Sequence, residues 1–366
     1  MAGKYLKLLF VKCLVIDLYV SKLKFLSKVM LANIGVSSPF EMNFAITYKC
    51  NSRCEICNIW KQKSENELSL KEIEKFSKKI DFIQWIRLTG GEPFLRKDYV
   101  DIIRLLNKNI PDLILITTPT NGHLSNLIYE SVKKVLSSFD KNYVITVSLD
   151  GPKAIHEKIR GIKGSWDKSI ETYKKLKELE KEHKNFNVFF GYTISPSNVG
   201  FFNKTLEEVR SVIPEVNVND FHVNLFQTSG VYYKNLEKKV DKDYTKKTQK
   251  EIEIILKLRG KSINPIKMIE TKYLEFGKDY LKTKKMPIDC NIFRLSCFVD
   301  PFGNVYPCTI FDKKLGNLRD NDFDLKKILV SEKTKKIREE IIKKKCPLCW
   351  TPCEAHQMIM SNWFKT

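Results

Sequence analysis

Between residues 40 and 230, short apolar runs alternate with amphipathic segments, and this alternation constrains the fold more than any other feature. The runs 41–47 (EMNFAIT), 83–89 (IQWIRLT), 113–118 (LILITT), 143–149 (YVITVSL), 188–194 (VFFGYTI) and 220–226 (DFHVNLF) have the length and composition of strands. Helical periodicity recurs between them, near 70–80, 98–108, 124–137, 166–183 and 203–212. The first of these helices carries a start signal, Ser69 followed three residues later by Glu72, the pattern of a capping box. Strand–helix alternation implies right-handed crossovers and a parallel sheet. Six units and not eight predict an α/β fold, a partial (β/α)6 TIM-like barrel, with active residues at the C-terminal ends of its strands.

Residues 1–35 read as an amphipathic N-terminal helix. Tyr5, Leu8, Leu9, Ile16, Tyr19, Val20, Leu23 and Met30 recur on one face, and Lys4, Lys7, Lys22, Lys24 and Lys28 fall mostly elsewhere. Lys12 breaches the apolar face, where a long side chain can snorkel. Charges recur too often for a membrane span of about 20 apolar residues, and no small-residue cleavage site marks a signal peptide. Two placements stay open, against the protein's own core or in a membrane interface. The barrel is then expected over 36–230 and a Lys-rich helical bridge over 231–285, with elements at 248–258 and 264–282. A small Cys-rich domain takes 286–366.

Lys plus Arg outnumber Asp plus Glu by 64 to 43, a net charge of +21. Such an excess suits a solvated basic surface or an anionic partner: a membrane face, a phosphorylated substrate or nucleic acid. No helix-turn-helix, RNA-binding or paired zinc-finger pattern is present, so nucleic acid is the least expected of these. Of ten cysteines, nine fall within 50–57 and 290–353, with Cys13 alone. A disulfide framework belongs to small secreted chains. Clustering in a chain of 366 residues points instead to metal, and to a cytoplasmic protein or one peripheral at the inner face of the membrane.

The first cluster follows the first strand: Cys50, Cys54 and Cys57 in the spacing CxxxCxxC. Three thiolates on a short loop can hold three corners of a cubane iron–sulfur cluster and leave the fourth iron open. On spacing alone, zinc borrowing a fourth ligand from elsewhere is the alternative. After the second strand comes Thr89-Gly90-Gly91-Glu92-Pro93. Its glycines allow a backbone to approach a ligand closely, and its carboxylate can receive an ammonium group.

Together the two motifs resemble the radical S-adenosylmethionine (SAM) superfamily. The resemblance implies that Cys50, Cys54 and Cys57 ligate a 4Fe-4S cluster and that SAM chelates the open iron through its amino and carboxylate groups. Gly90, Gly91 and Glu92 would hold the methionyl ammonium, and Ile56 would lie against the adenine. Asn121-Gly122 follows strand three. The stretch Val147–Pro152, with His156 and Arg160-Gly161 behind it, resembles the part that contacts the SAM ribose and carboxylate. Ser148 and Arg160 are thereby implied SAM contacts and Asp150 a pocket residue; His156 reads as structural or surface. Thr193–Asn198 is a loose match to the adenine-side strand.

The second cysteine group, Cys290, Cys297, Cys308, Cys346, Cys349 and Cys353, resembles the SPASM/twitch extension that binds auxiliary 4Fe-4S clusters. Cys290, Gly303 and Cys308 fit its opening, Gly316-Asn317-Leu318 its middle, and Cys346 and Cys349 its CxxC. Full SPASM domains continue with more cysteines, whereas here Cys353 follows after three residues and none comes later. One fully ligated auxiliary cluster is expected, with a second, openly ligated one, a ligand role for His356, and zinc as open alternatives.

The implied chemistry uses an external one-electron reductant of ferredoxin or flavodoxin type to cleave SAM to a 5′-deoxyadenosyl radical, which abstracts hydrogen from an unactivated C–H. The amphipathic N-terminus and basic charge make a lipid or lipid headgroup at an anionic membrane surface the leading expected substrate. A ribosomal peptide or protein is the alternative. A non-catalytic zinc- or cluster-binding interaction protein is a reading of another class.

Overall fold

The first apolar run becomes β1, Glu41–Thr47, with every residue buried, as a strand with parallel neighbours and helical cover requires. The computed structural model describes residues 23–33 and 39–363. Residues 23–33 form helix α1. After β1 come α2 (Leu70–Ser77), β2 (Trp85–Gly90), α3 (Tyr99–Asn109), β3 (Leu115–Thr120), α4 (Ser125–Leu136) and β4 (Asn142–Ser148). Then follow α5 (Lys153–Arg160), α6 (Ser165–Glu182), β5 (Phe186–Ile194), α7 (Phe202–Val212) and β6 (Phe221–Leu225). The six strands lie side by side in chain order, all parallel. The expected partial barrel is therefore the fold.

Side chains divide the sheet into two faces by the strand period of two. In β4, Tyr143, Ile145 and Val147 are buried, and Val144, Thr146 and Ser148 are only half-buried. The buried set packs on helices: Tyr173 of α6 stacks on Phe190 of β5 at 3.8 Å, and Phe76 of α2 meets Phe44 of β1 at 5.7 Å. The half-buried set lines the lumen. Ser69 and Glu72 form the expected capping box, with Glu72 accepting the Ser69 amide at 2.8 Å.

The chain continues through α8 (Lys242–Arg259), α9 (Pro265–Thr283), α10 (Ile292–Leu295), β7 (Ser296–Val299), β8 (Asn304–Tyr306), β9 (Gly316–Asn317), α11 (Leu325–Leu329), α12 (Glu332–Ile342) and α13 (Pro352–Ser361). The Cys-rich segment shares the barrel's sheet: β7 pairs in parallel with β1, from Glu41↔Ser296 to Phe44↔Val299, and β8 and β9 extend it antiparallel. The other edge is closed by side chains. Tyr273 of α9 accepts the Leu225 amide at 3.1 Å, and Arg259 donates to the Phe221 carbonyl at 2.7 Å. These bonds satisfy backbone groups of β6 that an open edge would expose. α13 reaches into the lumen, where His356 Nδ1 lies 3.5 Å from Arg87 of β2.

One expectation changes. The expected bridge is not helical at its start: 226–241 is a loop, and α8 begins at Lys242, capped by Asp241 accepting the Tyr244 amide at 2.7 Å. Of the expected N-terminal helix, residues 1–22 lie outside the described residues. Its described part, α1, docks on the barrel through Phe25 against Phe40 (5.4 Å), Lys24 with Asp112 (2.8 Å) and buried Ala32. Leu23, Leu26 and Met30 are exposed. Among the described residues no helix is long and apolar enough to cross a membrane.

Candidate active site

β1 delivers its C-terminal end directly into the cysteine loop, and that loop is stitched to its neighbours through backbone. The Gly91 and Glu92 amides each donate at 2.8 Å, to the carbonyls of Thr47 and Lys49 respectively. On the other side, the amides of Arg53 and Glu55 donate to Arg160 and Ile159 at the end of α5, at 2.9 and 2.8 Å. The glycines follow from this contact. A Cβ on Gly90 would stand 2.2 Å from the Thr47 carbonyl oxygen, and one on Gly91 2.3 Å from that of Lys49. The side they clear is packed against the end of β1 and the start of the cysteine loop. Gly90 also has φ +155°, which a side chain would strain.

Glu92 is buried and its carboxylate accepts three hydrogen bonds: Asn121 amide at 2.7 Å, Thr120 hydroxyl at 2.9 Å and Phe94 amide at 3.3 Å. A carboxylate has about four acceptor sites, so one remains for an ammonium. Burial pushes this carboxyl up to about 7, against the opposing pull of those donors.

Arg160 ties the two halves of the site. Its Nη2 holds Asp150 at 2.5 Å and its Nη1 lies 3.7 Å from the Cys54 sulfur. Asp150 is fixed in turn by the Thr193 amide at 2.9 Å, and Asn198 clasps the Asp150 carbonyl at 2.8 Å. His156 is buried, accepts the Asp150 amide at 3.0 Å, and is held neutral by burial with Arg160 beside it. It braces the pocket wall. Ser148 ends β4, half-buried on the lumen face and opposite Gly191. Ile56 is half-buried, its carbonyl accepting from Asn235 at 2.8 Å.

In the C-terminal segment the six cysteines separate into two kinds. Cys290 feels the charge of Cys346, Cys308 that of Cys290, and Cys349 those of both Cys308 and Cys290. These influences link Cys290, Cys308, Cys346 and Cys349 to one another. Cys297 and Cys353 stand apart: Cys297 is buried in β7 paired with Met42, and Cys353 faces Arg87 and Glu41. The amide two residues downstream meets the sulfur at Cys50, Cys57, Cys290, Cys308 and Cys349, a geometry that favours thiolate. Cys353 instead meets the Thr351 side chain. Glu354, buried, accepts from Thr309 at 3.0 Å and Ser296 at 3.2 Å, and its charge reaches Cys290, Cys297, Cys308, Cys349 and Cys353.

The radical SAM superfamily model matches residues 44–199, and a model described as an iron–sulfur cluster-binding domain, SPASM, matches 290–354. The chain belongs to the radical SAM superfamily. The chain is 23% identical over 337 residues to the antilisterial bacteriocin subtilosin biosynthesis protein AlbA of Bacillus subtilis, covering 84% of this chain. It spans 65% of AlbA's length, just under two thirds. A probable GTP 3′,8-cyclase of Sulfurisphaera tokodaii is 26% identical over 264 residues, covering 70% of this chain and 78% of the relative. Streptococcus suis SuiB bound to its precursor peptide SuiA shares the fold, with a TM-score of 0.56 at 16% identity over 95% of this chain and 76% of SuiB.

Membership in the radical SAM superfamily brings a 4Fe-4S cluster and SAM as cofactors, with auxiliary iron–sulfur chemistry in the SPASM segment. The donor set fits them. Three thiols on one short loop are the donors that hold three corners of a cubane cluster. Burial pushes the Cys50 thiol up to about 11 and the Cys57 and Cys290 thiols up to about 12. Cluster binding must offset that cost to take thiolates.

Several residues at the site had no signal in the sequence. The 226–241 loop folds back so that Tyr232, buried, bonds the Thr89 hydroxyl at 2.6 Å and the Gly90 carbonyl at 3.2 Å. Asn58 reaches the Lys234 carbonyl at 2.8 Å. His222 of β6 pairs with Glu270 of α9, and Arg259 approaches the same carboxylate at 3.4 Å. His123 follows the Asn121-Gly122 turn, and its Nε2 is buried without a hydrogen-bond partner. Burial and nearby Arg160 push its ring down to about 4.

Proposed function

We propose that this radical SAM protein oxidatively modifies a ribosomal peptide, forming a crosslink or oxidised residue. The likeness to AlbA over 84% of the chain carries the reading, and the fold shared with a precursor-peptide complex agrees with it. This reverses the expected order of substrates, in which a lipid came first. A nucleotide triphosphate suits the lumen less well. Three arginines at the site are each already neutralised, Arg87 by Glu41, Arg160 by Asp150 and Arg259 by Glu270, whereas a triphosphate calls for uncommitted cations.

When bound at Cys50, Cys54 and Cys57, the cluster and SAM supply a 5′-deoxyadenosyl radical. Glu92 would use its remaining acceptor site to hold the SAM ammonium. Arg160 and Ser148 would contact its carboxylate and ribose, and Ile56 its adenine. Cys290, Cys308, Cys346 and Cys349 would hold one auxiliary cluster, which would supply a one-electron acceptor for an oxidised product. His222 is a candidate to take the accompanying proton: it lies on the same register row as Ser148, with only Gly191 between them, and its Nδ1 meets Glu270.

Comparison of small peptides from a deletion strain and its parent tests the reading. A peptide lighter by two hydrogens in the parent only, regained on complementation, is expected. Unchanged peptides with altered lipids would restore the lipid reading.

A further inference from the structure

The outer side of the cysteine loop carries a feature that neither SAM nor substrate uses. Trp60, in the 3-10 turn Ile59–Lys61, donates its indole Nε1–H to the Cys54 carbonyl at 3.4 Å. Two cations flank that one ring, Arg53 and Lys61, each 5.1 Å from its centroid. Arg53 also donates to the carbonyls of Cys50 and Ser52, at 3.2 and 2.9 Å. Both cations are exposed and Trp60 is half-buried.

What sets this cluster apart is that two cations share one ring, and neither is paired as Lys153 is with Asp167 at 2.7 Å or Lys278 with Glu253 at 2.6 Å. Among the described residues neither Arg53 nor Lys61 has a carboxylate within ion-pair distance. Residues 49–63 carry Lys49, Arg53, Lys61 and Lys63 against a single acid, Glu55, which Ser197 engages. The nearest facing acid is exposed Glu237, which bonds Asn58 at 2.8 Å and feels Lys238 before Lys61. Two like charges on one ring repel, and attraction to an exposed ring offsets only about 0.5–1 kcal/mol each. The arrangement leaves positive potential directed outward, one side chain from the cysteines.

We infer that Arg53, Trp60 and Lys61 form the docking point for an acidic one-electron carrier protein that reduces the cluster. The inference rests on Cys50, Cys54 and Cys57 holding that cluster. One electron leaves the reduced carrier and reduces the cluster by one; no bond forms or breaks and no proton moves. Complementary charge at such a contact raises the encounter rate and is screened by salt.

The test uses reconstituted holoenzyme with SAM, reading 5′-deoxyadenosine formation with reduced flavodoxin or with dithionite. Lys61→Glu reverses one charge without touching the hydrogen bonds of the loop. Lys181→Glu makes the same change in net charge in the last turn of α6, at the opposite, N-terminal end of the strands. Lys61→Glu is expected to slow the flavodoxin-driven rate about fivefold at low ionic strength, to lose that deficit at high salt, and to keep the dithionite-driven rate. Lys181→Glu is expected to match wild type. Equal flavodoxin rates for Lys61→Glu and wild type overturn the inference, as does an equal loss in Lys181→Glu, which would make net charge the cause. Slowing with dithionite too would make Lys61 a structural part of the loop and also overturn it. Wild-type enzyme that forms no 5′-deoxyadenosine with dithionite instead removes the radical reading beneath it.

Discussion

Arg160 stands 3.7 Å from the sulfur of Cys54 while its second nitrogen holds Asp150 at 2.5 Å, so one guanidinium joins the cysteine loop to the end of β4. Its place follows from α5, whose last residue it is, and from Gly161 beyond it. A Cβ at Gly161 would come within 2.7 Å of the Arg53 carbonyl oxygen.

Removing that guanidinium leaves Asp150 buried without its counter-charge. Arg160→Gln is expected to lower stability by about 3 kcal/mol and to weaken SAM binding at least about tenfold. Arg160→Lys keeps the charge but not the two-sided reach, and should fall between. Chemical denaturation and equilibrium dialysis with SAM measure the two effects. Unchanged SAM affinity in Arg160→Gln would remove Arg160 from the SAM pocket.

Tyr232 pins the glycine turn from a loop more than a hundred residues away in sequence. Tyr232→Phe removes one hydroxyl and leaves the Thr89 hydroxyl without that partner. A loss of about 1–2 kcal/mol is expected, together with weaker SAM binding. Replacing Thr89 by Val in the same variant removes the orphaned group and should recover part of the stability. Thermal unfolding of the single and double variants decides it.

Glu72 joins the capping box to the C-terminal segment, since Arg319 lies 2.6 Å from its carboxylate. Arg319 and the Ser69 bonds hold its carboxyl below the ordinary 4.5, down to about 2. A depressed carboxyl stabilises the fold at pH above 4.5 and loses that contribution as pH falls from 4.5 toward 2. Because the pair is largely exposed, Glu72→Gln should cost only about 1 kcal/mol at neutral pH. The difference between variant and wild type should shrink through the same acid window, as read by denaturant titration at stepped pH.

The sequence made the sheet legible because each strand is an apolar run bounded by polar helices. Glu41–Thr47 matches the expected bounds residue for residue. The cysteine spacings and the turn at Gly90–Glu92 were equally legible, being local. What escaped is long-range. Nothing in the run around Ser296 tells that it pairs with Glu41, so the C-terminal segment looked like an appended domain. Helix α5 is eight residues long and lies in the stretch read only for its motif. Tyr232 sits in a stretch read as helical, and its role exists only because the loop returns to Thr89. Spacing could not sort Cys297 and Cys353 from the other four, because Cys297 is placed by its pairing in β7 and Cys353 by Arg87 and Glu41, contacts that only the folded chain makes.

That separation predicts iron content. Wild type should carry about eight irons, as two 4Fe-4S clusters. Serine at Cys290, Cys308, Cys346 or Cys349 should reduce this toward four, and Cys297→Ala or Cys353→Ser should leave it unchanged. Iron and sulfide analysis of anaerobically purified protein checks it. Loss of iron in Cys353→Ser would place that thiol among the ligands.

The central claim is that Cys50, Cys54 and Cys57 bind a cluster that cleaves SAM. Its most direct measurement is 5′-deoxyadenosine formed from SAM under dithionite, in wild type and in Cys54→Ala. Formation by wild type, with an iron–sulfur signal altered by SAM, and none by Cys54→Ala, is the expected result. Bound zinc in place of iron, with no 5′-deoxyadenosine from wild type, would contradict the account.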